Sequence, residues 1–191
     1  MVGAIKLTAF GQPDVPISRD LVNQVPYASI AAKIGRGPRS LLVLWRTERT
    51  ELHWLSADGV AIVTSGGRVV RTAGLPESIR STIFQEPDPV STGLHLESNR
   101  VSASREVDLA PDGVTTWTSN FRLVGPKKIA IADIDFETIL VREHVKVLGT
   151  NWNIQNLFWV DPVDGFVWRS RQTIARTFPP IEIDVLKPAI I

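Results

Sequence analysis

Residues 116–123 read TWTSNFRL. Trp117, Ser119, Phe121 and Leu123 fall on one side of this stretch, and Thr116, Thr118, Asn120 and Arg122 on the other. Successive side chains leave a β-strand on opposite faces, so this period of two predicts a half-buried strand. Downstream, Gly125-Pro126 is expected to break it. Residues 128–132 and 136–147 then continue the sheet. Residues 153–160 and 166–172 flank Asp161-Pro162-Val163-Asp164-Gly165, whose Pro and Gly suit a five-residue hairpin loop. Ile181, Ile183 and Val185 alternate with Glu182 and Asp184 in a last strand, where both carboxylates should face solvent.

Upstream, residues 29–34, 41–46, 51–56, 60–64 and 68–73 are strands of similar length, most of them separated by glycine-containing turns, the pattern of an antiparallel meander. Strand pairing is also expected at residues 93–100 and 105–109, followed by a turn at Pro111-Asp112-Gly113. Two short helices are predicted. Ser18 caps one over residues 19–24. The other spans residues 76–85, with Pro76 at its first position and Ile79 and Ile83 on one face.

This makes an all-β, single-domain antiparallel β meander of about ten to twelve strands. A sheet of that size curls, because a flat one leaves long unpaired edges. A partly open barrel is therefore expected over residues 18–191, with residues 1–17 as a weakly ordered N-terminal extension. A length of 191 residues with 43% apolar and 21% charged side chains suits one buried core. The formal net charge of +1 argues against a basic nucleic-acid-binding surface. The absence of cysteine excludes disulfides, thiolate metal sites and cysteine nucleophiles. No apolar run is long enough to span a bilayer as a helix.

Catalytic signatures are missing. His53, His95 and His144 have no metal-ligand spacing, so no metal and no cofactor is expected. There is no G-x-S-x-G elbow. Gly35-Arg36-Gly37-Pro38-Arg39 lacks the Lys-Ser/Thr of a phosphate loop and reads as a hairpin. Glycoside hydrolysis needs two carboxylates at a set separation. The candidate pairs, Asp133 with Asp135, Asp161 with Asp164 and Glu182 with Asp184, are accounted for by turns and exposed strand faces. A non-enzymatic protein is expected.

Aromatic residues are more informative. Trp152, Phe158, Trp159, Phe166 and Trp168 crowd into one hairpin region. Strict alternation puts Trp168, Ser170 and Gln172 on one face, and Val167, Arg169 and Arg171 on the other. Aromatic rings stack on the apolar faces of sugars, and arginine pairs with sugar carboxylates. The candidate glycan-binding residues are therefore Trp168, Arg169, Arg171 and Gln172, then Trp159 and Asn156.

The stretch Asn156-Leu157-Phe158-Trp159-Val160-Asp161-Pro162, followed by residues 164–172, resembles the C-terminal hairpin of the YjbF/GfcB lipoprotein family. Pro26-Tyr27-Ala28-Ser29-Ile30, residues 37–44, residues 54–59, Gly67-Arg68-Val69-Val70, residues 72–75 and the closing residues 181–188 fit the same family in the same order. The resemblance implies a β meander curled into a partly open barrel. It also implies a role beside proteins that make or export a group 4 capsule or related exopolysaccharide, in the periplasm, with an outer-membrane lipid anchor in the full-length precursor. This chain carries no lipobox and no cysteine. The leading expectation is an accessory protein that binds acidic polysaccharide or a capsule or exopolysaccharide export protein. It would not bind nucleic acid, and would meet the membrane only through a lipid anchor absent from this chain. The alternative is a lipid or lipoprotein carrier with an apolar barrel cavity; last comes a polysaccharide-modifying enzyme. The lining of any cavity discriminates them: a continuous aliphatic wall suits acyl chains, whereas Trp with Arg and Asn suits sugars.

Overall fold

Trp117, Ser119 and Phe121 are buried, and Asn120 and Arg122 exposed, so the alternation of residues 116–123 holds within a long strand. The computed structural model describes residues 17–92 and 101–190. Among these are one helix, α1 (Arg19–Gln24), and twelve strands: β1 (Ser29–Ile34), β2 (Arg39–Glu48), β3 (Glu51–Ser56), β4 (Ala61–Ser65), β5 (Arg68–Ala73), β6 (Ser78–Phe84), β7 (Val101–Ala110), β8 (Gly113–Ile131), β9 (Ile134–Val147), β10 (Asn153–Val160), β11 (Val167–Gln172) and β12 (Ile181–Lys187). All pairings are antiparallel, and they join consecutive strands except that β12 returns to pair with β1. The expected all-β meander is thus an up-and-down barrel that is nearly closed. The expected strand at 93–100 and residues 1–16 of the expected extension lie outside the described residues.

The barrel has one seam, where β5 and β6 run side by side without a ladder. Threonine hydroxyls bridge it. Thr72 Oγ1 accepts from the Ile79 N–H at 3.0 Å, and Thr82 Oγ1 donates to the Val70 carbonyl at 2.9 Å. Side chains here satisfy backbone groups that a ladder would otherwise satisfy.

Two expectations are corrected. Residues 76–85 are not a helix; β6 occupies most of them. Ile79 and Ile83 share a helical spacing, yet Ile79 is buried and Ile83 is 59% exposed. The β-branched Ile79, Thr82 and Ile83 fit an extended chain, and β6 pairs the edge that β7 would otherwise expose. Gly125-Pro126 does not break β8. Val124 forms a bulge, with Leu123 opposite Val141 and Gly125 opposite Leu140. The described β7–β8 ladder begins at Val101↔Phe121, so Pro126 lies where β9 is the one described neighbour and the missing N–H interrupts no described pairing.

Beyond the bulge, β8 and β9 extend as a hairpin whose turn residues Ala132 and Asp133 both have positive φ (46° and 64°), the backbone of a type I′ turn. The hairpin folds over the outside of the barrel. Its Ile129, Ile131 and Phe136 pack with Trp159, Trp168, Ala31, Leu186 and Val22 of α1. Ser18 caps α1 as expected, accepting from Leu21 N–H at 3.3 Å. At the opposite extreme of size, the Gly66-Gly67 turn is glycine by necessity. A Cβ on Gly66 would lie 2.2 Å from the Ser91 Cα, and one on Gly67 2.5 Å from the Val167 Cβ.

Inside, Ile30, Leu42, Trp54, Ile62, Val107, Trp117, Ile181 and their neighbours form one apolar cluster, and Phe121, Val141, Phe158 and Val167 anchor a second. A belt of charged side chains accompanies them inside the barrel.

Candidate functional site

The six sequence-derived candidates do not form one surface. Trp159 lies opposite Arg169, and Val160 opposite Val167, so Trp168 is an extra residue in a bulge. The bulge resets the phase of β11. Val167, Ser170 and Gln172 are buried towards the interior, whereas Trp168 joins Trp159 under the outer hairpin. The expected face of Trp168, Ser170 and Gln172 is thereby split.

Each residue then has a structural partner or an isolated position. Trp168 lies between Phe136, tilted against it with centroids 4.2 Å apart, and Phe166, edge-on at 4.7 Å, and donates its indole N–H to Asp161 at 3.2 Å. Arg169 holds Asp184 with two guanidinium nitrogens and donates to the Ala130 carbonyl at 3.0 Å. Burial opposes the charge on Arg169, but its bond to Asp184 raises its affinity for the proton. Asp184 is therefore not solvated as expected; it is 5% exposed beneath Arg169 and Arg39. Arg171 is exposed. Gln172 accepts from the Val69 N–H at 3.0 Å and donates to the Gly67 carbonyl at 2.9 Å, tying β11 to β5. Asn156 donates to Glu143 at 2.7 Å and accepts from the Thr173 N–H at 2.9 Å.

Asn156 leads to a buried network that the sequence reading missed. Glu143, on β9, is fully buried. It accepts from Arg68 (2.9 Å), Arg105 (2.8 Å), Ser119 (2.7 Å) and Asn156 (2.7 Å). Arg68 also grips Asp88 at 2.6 and 3.0 Å, and its guanidinium lies over Phe158 and Phe121. Arg105 lies over Trp117. The two cations and two anions balance. Burial alone would push the Glu143 carboxyl up, yet Arg68 and Arg105 hold it far below the usual carboxylate range. Arg68 is likewise held charged against burial, by Asp88 and Glu143. Arg105 moves the other way, lowered by burial and by the neighbouring Arg68. The void beside this network is about 10 Å³, room for about one water. Among the described residues, side chains fill the interior around this network.

The candidate carboxylate pairs have structural partners: Glu182 and Asp184 both face Arg39, at 3.0 and 3.5 Å. Asp161 and Asp164 accept from the N–H groups of Val163 (2.9 Å) and Phe166 (2.8 Å), as turn residues do. Asp133 accepts from the Arg19 N–H at 3.4 Å, and Asp135 pairs with Lys128 at 2.9 Å. His53 is buried with Glu51 and Glu48 carboxylates at 3.6 and 3.8 Å. No group of three or more potential metal ligands occurs among the described residues.

A cleft of about 670 Å³ opens where loops converge at one end of the barrel. That volume is within the range of about 300–1,000 Å³ typical of small-ligand sites. Pro76 and Glu77 come from the β5–β6 loop, Pro111 and Asp112 from the β7–β8 turn, Thr150 and Trp152 from the β9–β10 loop, and Arg176 and Thr177 from the β11–β12 loop. Trp152 rests edge-on against Trp117, with centroids 5.3 Å apart, which fixes it at the cleft floor. Thr150 Oγ1 accepts from the Trp152 N–H at 3.0 Å and locks the same loop. At the rim, Thr177 donates to Glu77, and Arg176 donates to Asn151 Oδ1 at 3.2 Å. An indole, a guanidinium, carboxylates and hydroxyls thus line one opening together with the apolar Pro76, Leu109, Pro111 and Val147.

Residues 3–186 match the model of the family described as group 4 capsule polysaccharide lipoprotein gfcB, YjbF. The chain is 27% identical to the uncharacterized lipoprotein GfcB of Escherichia coli K12 over 192 residues, covering 99% of this chain and 89% of that protein. It is 23% identical to the uncharacterized lipoprotein YjbF of the same organism over 183 residues, covering 94% of this chain and 84% of that one. The crystal structure of the hypothetical lipoprotein YmcC from E. coli K12 superposes with a TM-score of 0.83 at 26% identity, covering 93% of this chain and 92% of that one.

Proposed function

The chain belongs to the family of group 4 capsule polysaccharide lipoproteins, and from that premise we propose that it is a non-enzymatic accessory protein of capsule or exopolysaccharide assembly that binds polysaccharide in the cleft at the barrel mouth. A lipoprotein family places its members at a membrane of the cell envelope; the proposal sets this one in the periplasm, at the outer membrane in its lipidated form. The observation that carries the reading is the cleft lining. Trp152 offers a rigid apolar surface, Arg176 offers free guanidinium N–H groups beyond the one that Asn151 occupies, and Glu77 and Asp112 offer acceptors for hydroxyls. The expected platform on β11 is replaced by this cleft, because Trp168 and Arg169 are held by Phe136, Phe166, Asp161 and Asp184.

The test is calorimetric titration with the surface polysaccharide of the source cell. Saturable binding is expected, lost in Trp152→Ala and weakened in Arg176→Ala at the exposed rim, with Arg171→Ala unchanged. Should Trp152→Ala disturb folding, Arg176→Ala alone decides. Binding that neither variant alters, or no binding by the wild type, would sink the cleft as the site.

A further inference from the structure

The charge pattern of the cleft deepens this reading, and the inference rests on it. Its rim holds two carboxylates, Glu77 and Asp112, against one guanidinium, Arg176. None of the three is neutralised by an opposite charge: Glu77 accepts from a threonine hydroxyl, Arg176 donates to an asparagine amide, and Asp112 has no bonding partner among the described residues. The rim therefore carries a net negative charge. A carboxylate can only accept hydrogen bonds, so it pairs with a hydroxyl that donates and repels another carboxylate.

The sequence had suggested an acidic polysaccharide on the strength of Arg169 and Arg171. Arg169 is committed to Asp184, and Arg171 is on β11 and is not among the residues that line the cleft. Neither of these arginines lines the opening.

We propose that the cleft takes a neutral, hydroxyl-rich stretch of glycan and discriminates against uronic acids. A pyranose ring lies against Trp152 with its C–H face. Adjacent hydroxyls donate to Asp112 and to the Glu77 oxygen that Thr177 leaves open. Another hydroxyl accepts from Arg176. A uronate in the same pose brings an acceptor-only group to a rim already dominated by acceptors, which is specificity by repulsion.

The test titrates the intact chain with neutral hexasaccharides (maltohexaose, cellohexaose and mannohexaose) and with hexagalacturonate, following tryptophan fluorescence at about 50 and about 300 mM salt, so that exposed charges are screened in the second buffer. At least one neutral hexasaccharide is expected to bind about tenfold or more tightly than hexagalacturonate at low salt, which corresponds to about 1.4 kcal/mol. Its affinity should not change with salt. Glu77→Gln with Asp112→Asn should narrow the gap by admitting hexagalacturonate. Tighter binding of hexagalacturonate, weakening with salt, would overturn the inference while leaving the glycan reading intact. So would failure of every neutral probe beside retained, Trp152-dependent binding of the source polysaccharide. Loss of binding to both the probes and the source polysaccharide would overturn the reading itself.

Discussion

Glu143→Gln is the substitution that examines the barrel interior most directly. It preserves shape and removes one charge. All four groups around the carboxylate donate to it: Arg68, Arg105, Ser119 and Asn156. A glutamine turns one acceptor oxygen into a donor amide, so at least one of these bonds becomes donor against donor. Ser119 can rotate its hydroxyl, whereas the guanidiniums cannot adapt. Arg105 loses its one anion, because Asp88 binds Arg68. Breaking a buried pair from one side typically costs about 3–5 kcal/mol. Against a total stability of about 5–15 kcal/mol, that is a large fraction. For a chain of this size it lowers Tm by about 6–20 °C, at about 2–4 °C per kcal/mol. Urea unfolding with an unchanged m-value would isolate the effect. The pH dependence gives a second readout. The folded carboxyl is held below its unfolded value of about 4.3. Its contribution is therefore complete above that value. It falls away as the pH drops, because the unfolded chain takes up the proton first. The gap between wild type and variant should shrink by about 1.4 kcal/mol per pH unit below about pH 4. The double change Arg105→Met/Glu143→Leu should be less destabilising than Glu143→Leu alone, since it leaves no orphaned guanidinium. A loss under about 1 kcal/mol for Glu143→Gln, or a gap that does not depend on pH, would refute the assigned network.

Three further outcomes are expected. Gly67→Ala should lower stability by about 2–4 kcal/mol, because φ is +90° and the new Cβ meets Val167; thermal unfolding within about 2 °C of wild type would contradict this. Thr72→Val removes the acceptor of the Ile79 N–H, so hydrogen exchange at Ile79 should quicken more than at Val107, away from the seam, and stability should fall by about 1–3 kcal/mol. Arg169→Ala leaves Asp184 with Arg39 at 3.5 Å and should cost about 1–3 kcal/mol, whereas Arg171→Ala should stay within about 0.5 kcal/mol; equal losses in denaturant would show that Arg169 does not hold Asp184.

The fold was legible wherever alternation was clean, and less so where a bulge intervened. In β8 the apolar phase is unambiguous up to Leu123, and the reading of Trp117 to Leu123 stands. In β11 the run VWRSRQ has polar side chains in both phases, so nothing marks Trp168 as an inserted residue, and one slip moved Trp168 off the face of Ser170 and Gln172. The ion network left a fainter trace. Glu143 sits between Val141 and Val145, Asn156 between Ile154 and Phe158, Ser119 between Trp117 and Phe121, and Arg105 in phase with Val107 and Leu109. Each is a polar residue in an apolar phase, and each is unremarkable in its own strand. They become partners only when β7 to β10 lie side by side, and the curl of the sheet then brings Arg68 of β5 to Glu143 across the nearly closed barrel.

The cleft follows from the same closure. In an up-and-down barrel, every second connection returns to the same end. The β5–β6, β7–β8, β9–β10 and β11–β12 connections must therefore meet, although they are spread from residue 74 to residue 180. Breaking β8 at Gly125-Pro126 added a strand to the count and so shifted which connections share an end. With β8 read as one strand, Glu77, Asp112, Trp152 and Arg176 fall at one mouth by topology alone, before any side-chain distance is considered. Spacing along the sequence carries no sign of that grouping, because no two of these four share a loop. What brings them together is strand number and parity, and a site of this kind becomes readable only once both are right.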